Sequence, residues 1–537
     1  MQAISSPSRA TPVLVFALFA VLGLLCTNFP TWGWPGGDGR DYANLTEAFV
    51  VGGNFDLRNS RFPERRADDP TIVRKSTGEI YSIFPIGRAL YNAPFFAAGS
   101  AIGAERPPVE SMILDNLSFS LATAVLYGIT CCLVFLLLRD YFQQREPGAL
   151  AGALIYGLAT LAFPFSKSNG VEPLQVALFA GIVYFGMVPR RWSLPLVALC
   201  FGFAVIAKPP SAIVLPVIIY LFFRFELWAA AGPAARIAAV LGACGTAAAF
   251  FYYNWLRSGD AAAAYAVGHA AEVKYALDNI LPTIWPLLVG PDRNLFLNNP
   301  VLIFALPGFF LLRDRPYAVV TALMWLGLLL FYGASGNQNW GAYVGNGRYA
   351  MPYIFLLVPY ALVSIQYFTR LGPAAGRVVA SLAVAGVIAW SCYVQLLYAS
   401  FSEFHVKQFE RQHNAVARQA GLEQLEEAKH QLQFAHALFW HTETCVHPGR
   451  GSSFAYPSPE TTQSRFSGSV LGGFPQQFFC KDYLFLNGDF VSPVSWLRAL
   501  AYTVLAMLAL LAGALAWRLG WQPLSRQATD SDTPRPG

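Results

Sequence analysis

Apolar runs of about twenty residues recur from Thr11 to Trp517, divided by polar segments of two kinds. Some are short and carry arginine; others are long and rich in glycine and aromatics. Crossing a roughly 30 Å hydrocarbon layer takes about 20 apolar residues of helix. The pattern therefore predicts an all-α polytopic membrane protein with about twelve transmembrane helices. The first is expected over Thr11–Asn28 and is read as a retained span, because no small-residue cleavage site precedes Asn28. Further spans are predicted over Asn116–Leu138, Gly148–Phe165, Val171–Val188, Trp192–Ala207 and Ser211–Trp228. Later ones cover Ile237–Leu256, Pro300–Leu312, Tyr317–Ala334, Tyr349–Thr369, Val378–Ala399 and Leu497–Trp517. Ile83–Gly103 is ambiguous: it is apolar enough to insert, yet it contains Arg88, Asn92 and two prolines.

The arginines arbitrate. If Ile83–Gly103 lies at the outer surface or re-enters, then Arg139, Arg145, Arg190, Arg191, Arg224, Arg236, Arg313, Arg315, Arg370 and Arg377 all fall on one side. An excess of positive charge in short loops marks the cytoplasmic face. Both termini are then cytoplasmic, the C-terminal one as a disordered tail over 519–537. Four polar regions face outward: Pro30–Asp115, Arg257–Asn299, Ser335–Arg348 and Ser400–Ser495. They carry Trp285, Phe296, Trp340 and Tyr343, which suit packed structure better than solvated tethers.

Composition agrees. Of 537 residues 55% are apolar and only 13% charged, about half the charge of a soluble domain. The net charge of +6 follows largely from the cytoplasmic arginines and calls for no nucleic-acid partner. A Gly-rich phosphate loop of either common type is lacking.

The division at residue 399 separates a membrane domain, 1–399, from an exterior cap, 400–496, followed by a last span over 497–518. Within the cap, Phe401–Phe439 has helical periodicity, and glycine, proline and serine rise after Thr444. Its histidines His430, His436, His441 and His447 lie near Cys445. A helix would turn His436 and His441 about 140° apart, which argues against a metal site, and none is assigned. Cys445 and Cys480 are the only cysteines outside the spans. In an oxidising compartment they are expected to pair, adding roughly 3 to 4 kcal/mol in the chain-entropy model. The other six cysteines act as small apolar residues.

The most informative polar stretch is GDGRDYANLTEAFVVGGNFDLRN, directly after the first span. It resembles the first exterior loop of GT-C membrane glycosyltransferases of the dolichyl-phosphate-mannose mannosyltransferase type, which use polyprenyl-phosphate sugars. That loop reads roughly G-D-E-x-x-Y, a helix, then D-G-D-x-D-L. Gly37, Asp38 and Tyr42 match it; Gly39 stands in place of the glutamate, and Asp41 is an additional acid. Tyr81, Ser82, Pro85, Gly87 and Pro94 match a second segment. GPDRNLFLNNPVLIFALPGFFLL looks like a third, and NWGAYVGNGRYAMPYIFLLVPY resembles the W-G-G to G-x-R-Y-x-x-P stretch. The likeness covers most of Pro12–Ala399 and none of the cap.

The resemblance implies a donor-phosphate site and a substrate cavity lined by Tyr42, Tyr81, Trp340 and Tyr349. A chemical argument runs beside the resemblance and points to the charged residues. Nucleotide sugars are not expected outside the cytoplasm, so an exterior transferase takes its sugar from a lipid carrier. Attack by an acceptor hydroxyl needs a base in a partly desolvated cavity, and the departing phosphate needs cations. Asp38 is the candidate base, with Asp41 as alternative base, metal ligand or supporting acid. Arg348, Lys208 and Arg88 are the candidate phosphate-binding cations. Glu47 and Asp56 are read as structural. Some members of the superfamily look metal-dependent through such acids, so a divalent cation stays open, although the loss of acid at Gly39 weakens that case.

The expected activity is thus an inverting transfer of sugar, hexose or pentose, from a polyprenyl-phosphate donor to an envelope glycan, lipid or protein. The expected setting is the exterior face of a bacterial inner membrane. A multi-span transporter or flippase of a lipid-linked or envelope precursor is the alternative, since about twelve spans suit it equally well. Against it, no internal repeat is visible and mid-span charges are nearly absent. A non-catalytic scaffold would leave the acid-bearing first loop without purpose.

Overall fold

The structure, a computed structural model, describes residues 10–25, 38–60, 72–166, 168–261, 276–288, 294–336, 348–400, 503 and 506–515. The protein is an all-α polytopic membrane protein. Among the described residues, five helices are long and apolar enough to cross a membrane and six more are shorter apolar helices. The expected cap, the Cys445–Cys480 pair, Trp340 and the C-terminal tail lie outside the described residues.

In chain order the first half consists of α1 (Ala10–Leu25), α2 (Asp38–Gly52), a hairpin of β1 (Ile72–Arg74) and β2 (Ile80–Ser82), α3 (Gly87–Gly103) and α4 (Pro108–Leu136). Then come α5 (Glu146–Ala159), α6 (Ala162–Phe165), α7 (Glu172–Met187) and α8 (Ser193–Ala207). Later helices include Pro233–Ser258, Arg315–Ala334, Val358–Phe368 and Ala374–Ser400. Most of the predicted spans coincide with a helix to within a few residues.

Without a hydrophobic driving force between helices in lipid, close packing over small residues takes its place. The longest pairing, α1 on α4, shows this: a side chain at Gly128 would come within 2.8 Å of the Phe16 carbonyl oxygen. The largest buried cluster runs from Val15 and Phe19 through Phe179 and Val183 to Tyr317 and Tyr353. By contrast, Pro233–Ser258 shows Ile237, Leu241, Phe251 and Trp255 at the surface, as a lipid-facing helix does.

The structure departs from the predicted boundaries in three places. The span predicted over Gly148–Phe165 is broken at Thr160, which adopts an extended conformation between α5 and α6. A break inside a membrane bundle survives only where neighbours satisfy the freed backbone groups. Two do so here: Asn299 Oδ1 accepts from the Leu161 amide at 2.7 Å, and the Ser391 hydroxyl donates to the Ala159 carbonyl at 2.7 Å. The second departure is at Pro108, where α4 starts inside the loop expected over 30–115. Proline is well suited to the first turn of a helix. Third, the first long polar region contains an antiparallel hairpin that pairs Val73 with Tyr81. Ile83–Gly103 is mostly the helix α3, packed between α2 and α4.

Several of the arginine-bearing loops are tied to one another at one end of the bundle. Asp140 pairs with Arg190, the Tyr141 hydroxyl donates to Asp314 at 2.8 Å, and Gln366 donates to Gln144 at 3.1 Å. Thr11 bonds Glu146 there as well. At the other end of the bundle lie the first long polar region and the residues described next.

Candidate active site

Four helix ends deliver charged residues to one point. Asp38 opens α2, and Asp41 shares its first turn, where the helix dipole favours acids. Glu172 opens α7 ahead of Pro173 in the same way. Lys208 ends α8 in an extended conformation. Its reason is local: the residue before a proline is pushed out of the helical region, and Pro209 follows. Arg348 begins a 3-10 turn over Arg348–Leu357 that leads into Val358–Phe368.

Their side chains form one network. Arg348 Nη2 lies 3.0 Å from Asp38 Oδ2, and its Nε lies 3.3 Å from Glu172 Oε1. Lys208 Nζ reaches the same Glu172 oxygen at 3.2 Å. Two cations thus share one carboxylate oxygen, while Glu172 Oε2 makes no hydrogen bond to another described residue. Exposure is graded across the network, from 29% for the Asp38 side chain and 15% for Arg348 to 2% for Glu172. Aromatic rings form one wall. Tyr332 and Tyr349 stack with centroids 4.4 Å apart, and Lys208 Nζ sits 4.5 Å from the Tyr349 centroid. A cation over such a ring is held by the ring quadrupole.

The remaining candidates take different places. Tyr42 is buried on α2 against Phe84, with centroids 5.4 Å apart, in a cluster with Val171 and Ala207 that borders Glu172 and Lys208 in sequence. Asp41 is buried one turn into α2. Arg88 is fully buried on α3; its Nη2 contacts Thr123 Oγ1 at 2.5 Å, and its Nε and Nη1 make no hydrogen bond among the described residues. Its neighbour Gly87 presses on α8, where a Cβ would lie 2.5 Å from the backbone of Ala207. Arg88 therefore stands behind Lys208 rather than inside the ion-pair network. Tyr81 packs elsewhere, in an apolar cluster with Leu45, Phe55 and Tyr253.

The first long polar region is fastened to the bundle by polar contacts. The Tyr253 hydroxyl lies 3.1 Å from the carbonyl oxygens of Ser82 and Phe84, and Arg257 donates to the Ile83 carbonyl. Asp56 has a structural part, as its sequence position suggests. It caps the turn after α2, accepting from the amides of Arg58 at 3.1 Å and Ile80 at 3.2 Å. Burial pushes its carboxyl up, but the bonds from Arg58 and Ile80 outweigh this and hold it below the ordinary range. Among the described residues no group of three or more His, Cys, Asp or Glu side chains is placed to hold a metal ion.

No family model and no curated relative matches this sequence. A solved structure does resemble it: the crystal structure of ArnT from Cupriavidus metallidurans bound to undecaprenyl phosphate. The two share 15% identity at a TM-score of 0.41, over 79% of this chain and 74% of that one. So loose a likeness carries no argument about activity, which rests on the residues themselves.

Glu172 is the residue that sequence reading missed. Its signal was present but faint: an acid at the head of an apolar run, next to a proline. Nothing in the pattern tells that Glu172, Lys208 and Arg348, spread over 177 positions, converge on one oxygen.

Proposed function

We propose that the protein is an inverting membrane glycosyltransferase of GT-C type. It moves a sugar from a polyprenyl-phosphate donor to an envelope glycan, lipid or protein acceptor at the exterior face of a bacterial inner membrane. The observation that carries this reading is the juxtaposition of a partly exposed carboxylate, Asp38, with two cations, Arg348 and Lys208, at the end of an apolar bundle.

In the proposed step the acceptor hydroxyl oxygen attacks the anomeric carbon of the sugar. The bond from that carbon to the phosphate oxygen breaks, and its electron pair leaves with the phosphate. The hydroxyl proton passes to Asp38. Arg348 and Lys208 take up the charge that grows on the leaving phosphate, in a site whose burial strengthens each interaction. One base and one displacement invert the anomeric centre. Tyr332 and Tyr349 form a flat wall suited to a sugar ring, and Arg88 adds positive potential from behind.

The test is release of polyprenyl phosphate from a panel of polyprenyl-phosphate sugars by the purified full-length protein and by Asp38→Asn. Release by the native protein alone supports the reading. Equal release by both removes Asp38 from the mechanism. Silence from a well-folded native protein, with lipid-linked substrate moved across a vesicle bilayer instead, turns the assignment to a flippase.

A further inference from the structure

Two carboxylates hold Arg348, and they are not equivalent. Asp38 sits on the open side with 29% of its side chain exposed, whereas Glu172 is 2% exposed and also carries Lys208. An incoming anion can replace Asp38 on Arg348, but it cannot reach past the two cations to displace Glu172. With Asp38 exchanged, the phosphate meets two cations and one fixed carboxylate, a single net positive charge.

That charge bears on the reaction. A polyprenyl-phosphate sugar is a phosphodiester with one negative charge. The polyprenyl phosphate left after transfer is a monoester, which carries about −1.5 to −2 at neutral pH. Two cations without Glu172 would favour the product over the donor. Resting on the function proposed above, we infer that Glu172 is a positioning residue that sets donor-over-product preference. It clamps Lys208 and Arg348 side by side and trims their charge to match the singly charged donor, so that the doubly charged product is not retained. Arg88, bonded to Thr123, is the same in every variant compared, so its contribution cancels when a variant's ratio is set against the native one.

The probes need no knowledge of the sugar. Farnesyl phosphate and farnesyl methyl phosphate share a tail and differ by about one charge at about pH 8, above the second monoester pKa near 6. Their dissociation constants are measured on the full-length protein in nanodiscs. Glu172→Gln is expected to shift the ratio of the two constants roughly tenfold toward the monoester, the scale of one charge a few ångströms away at a partly screened site. Lys208→Gln is expected to shift it the other way. Glu172→Gln combined with Lys208→Gln restores the native net charge, and the ratio should return to within about threefold of native. A merely structural role for Glu172 would weaken both ligands together and leave the ratio alone. An unchanged ratio in Glu172→Gln overturns the inference, as does a double variant that fails to recover it. If Glu172→Gln alone does not fold, Lys208→Gln and the double variant decide. A native protein that binds neither probe defeats the function proposed above, a separate result from an unchanged ratio.

Discussion

The helix α7 carries a charge cluster at each end, and the two are built alike up to a point. At one end Glu172 takes Lys208 and Arg348; at the other, Asp140 takes Arg139 at 2.7 Å and Arg190 at 2.9 Å. Tyr184, in α7 itself, donates to Asp140 at 2.7 Å. Glu172 and Tyr184 are twelve residues apart in one helix, or about 18 Å at 1.5 Å per residue. Each cluster is a single carboxylate shared by two cations.

They differ in how completely they are closed. Asp140 has partners on both oxygens, and Arg190 spreads into solvent with 64% of its side chain exposed. Such a cluster is a tie between loops. Glu172 loads both cations onto one buried oxygen, and a second carboxylate, Asp38, sits on Arg348 from the open side. A buried polar group left short of a bond calls for an explanation, and strongly interacting charges at the edge of a cavity are candidates for function. Completeness of pairing, more than the number of charges, separates the structural cluster from the chemical one.

The strongest way to break the comparison is Asp38→Asn. Loss of a general base is worth about 10²- to 10⁴-fold, so kcat/KM for sugar transfer should fall by that factor with expression and folding intact. Near-native turnover would place the two clusters on the same structural footing. Next comes the opposite end. Asp140→Ala strands the Arg139, Arg190 and Tyr184 donors and should cost about 1–3 kcal/mol of stability. A thermal melt in detergent checks this, and turnover per folded molecule should stay at the native level. A selective loss of catalysis would mean that the two ends are coupled through α7.

A third variant sharpens the role of packing. Gly87→Ala drives a methyl group against the backbone of Ala207, which cannot rotate away. Overpacking of this kind costs about 1–3 kcal/mol. It should also displace Lys208, next in the chain, and so weaken donor binding more than Asp140→Ala does; a titration of donor on both variants tests this. The smallest effect belongs to Asp56. Its carboxyl is held below the ordinary value of 3.8 in the folded protein. The stability it contributes is therefore fully present above that value and is lost as pH falls through the folded one. The melting temperatures of native protein and Asp56→Asn should differ at neutral pH and converge in acid below about pH 4.

Much of this was legible in the chain. Asp38, Lys208 and Arg348 all stand out as charges at the ends of apolar runs. Thr160 was missed although Pro164, four residues on, has no N–H to give its carbonyl. What the sequence does not tell is that Asn299 and Ser391, far along the chain, satisfy the backbone groups the break frees. Arg88 looks in sequence like a third site cation, yet its direction is set by α4, which offers Thr123. Tyr81 follows the hairpin into its own apolar cluster, and a hairpin of three-residue strands leaves little periodicity to read.

Sequence by itself determined the membrane class and the approximate spans, because apolar length is a property of each segment and the bilayer answers it one segment at a time. The tertiary structure decided which charges meet. That Glu172 would serve both Lys208 and Arg348, leaving Asp38 as the open partner, depends on how four helix ends are stacked. Packing of small residues across helix interfaces sets that stacking, and no single segment carries the information.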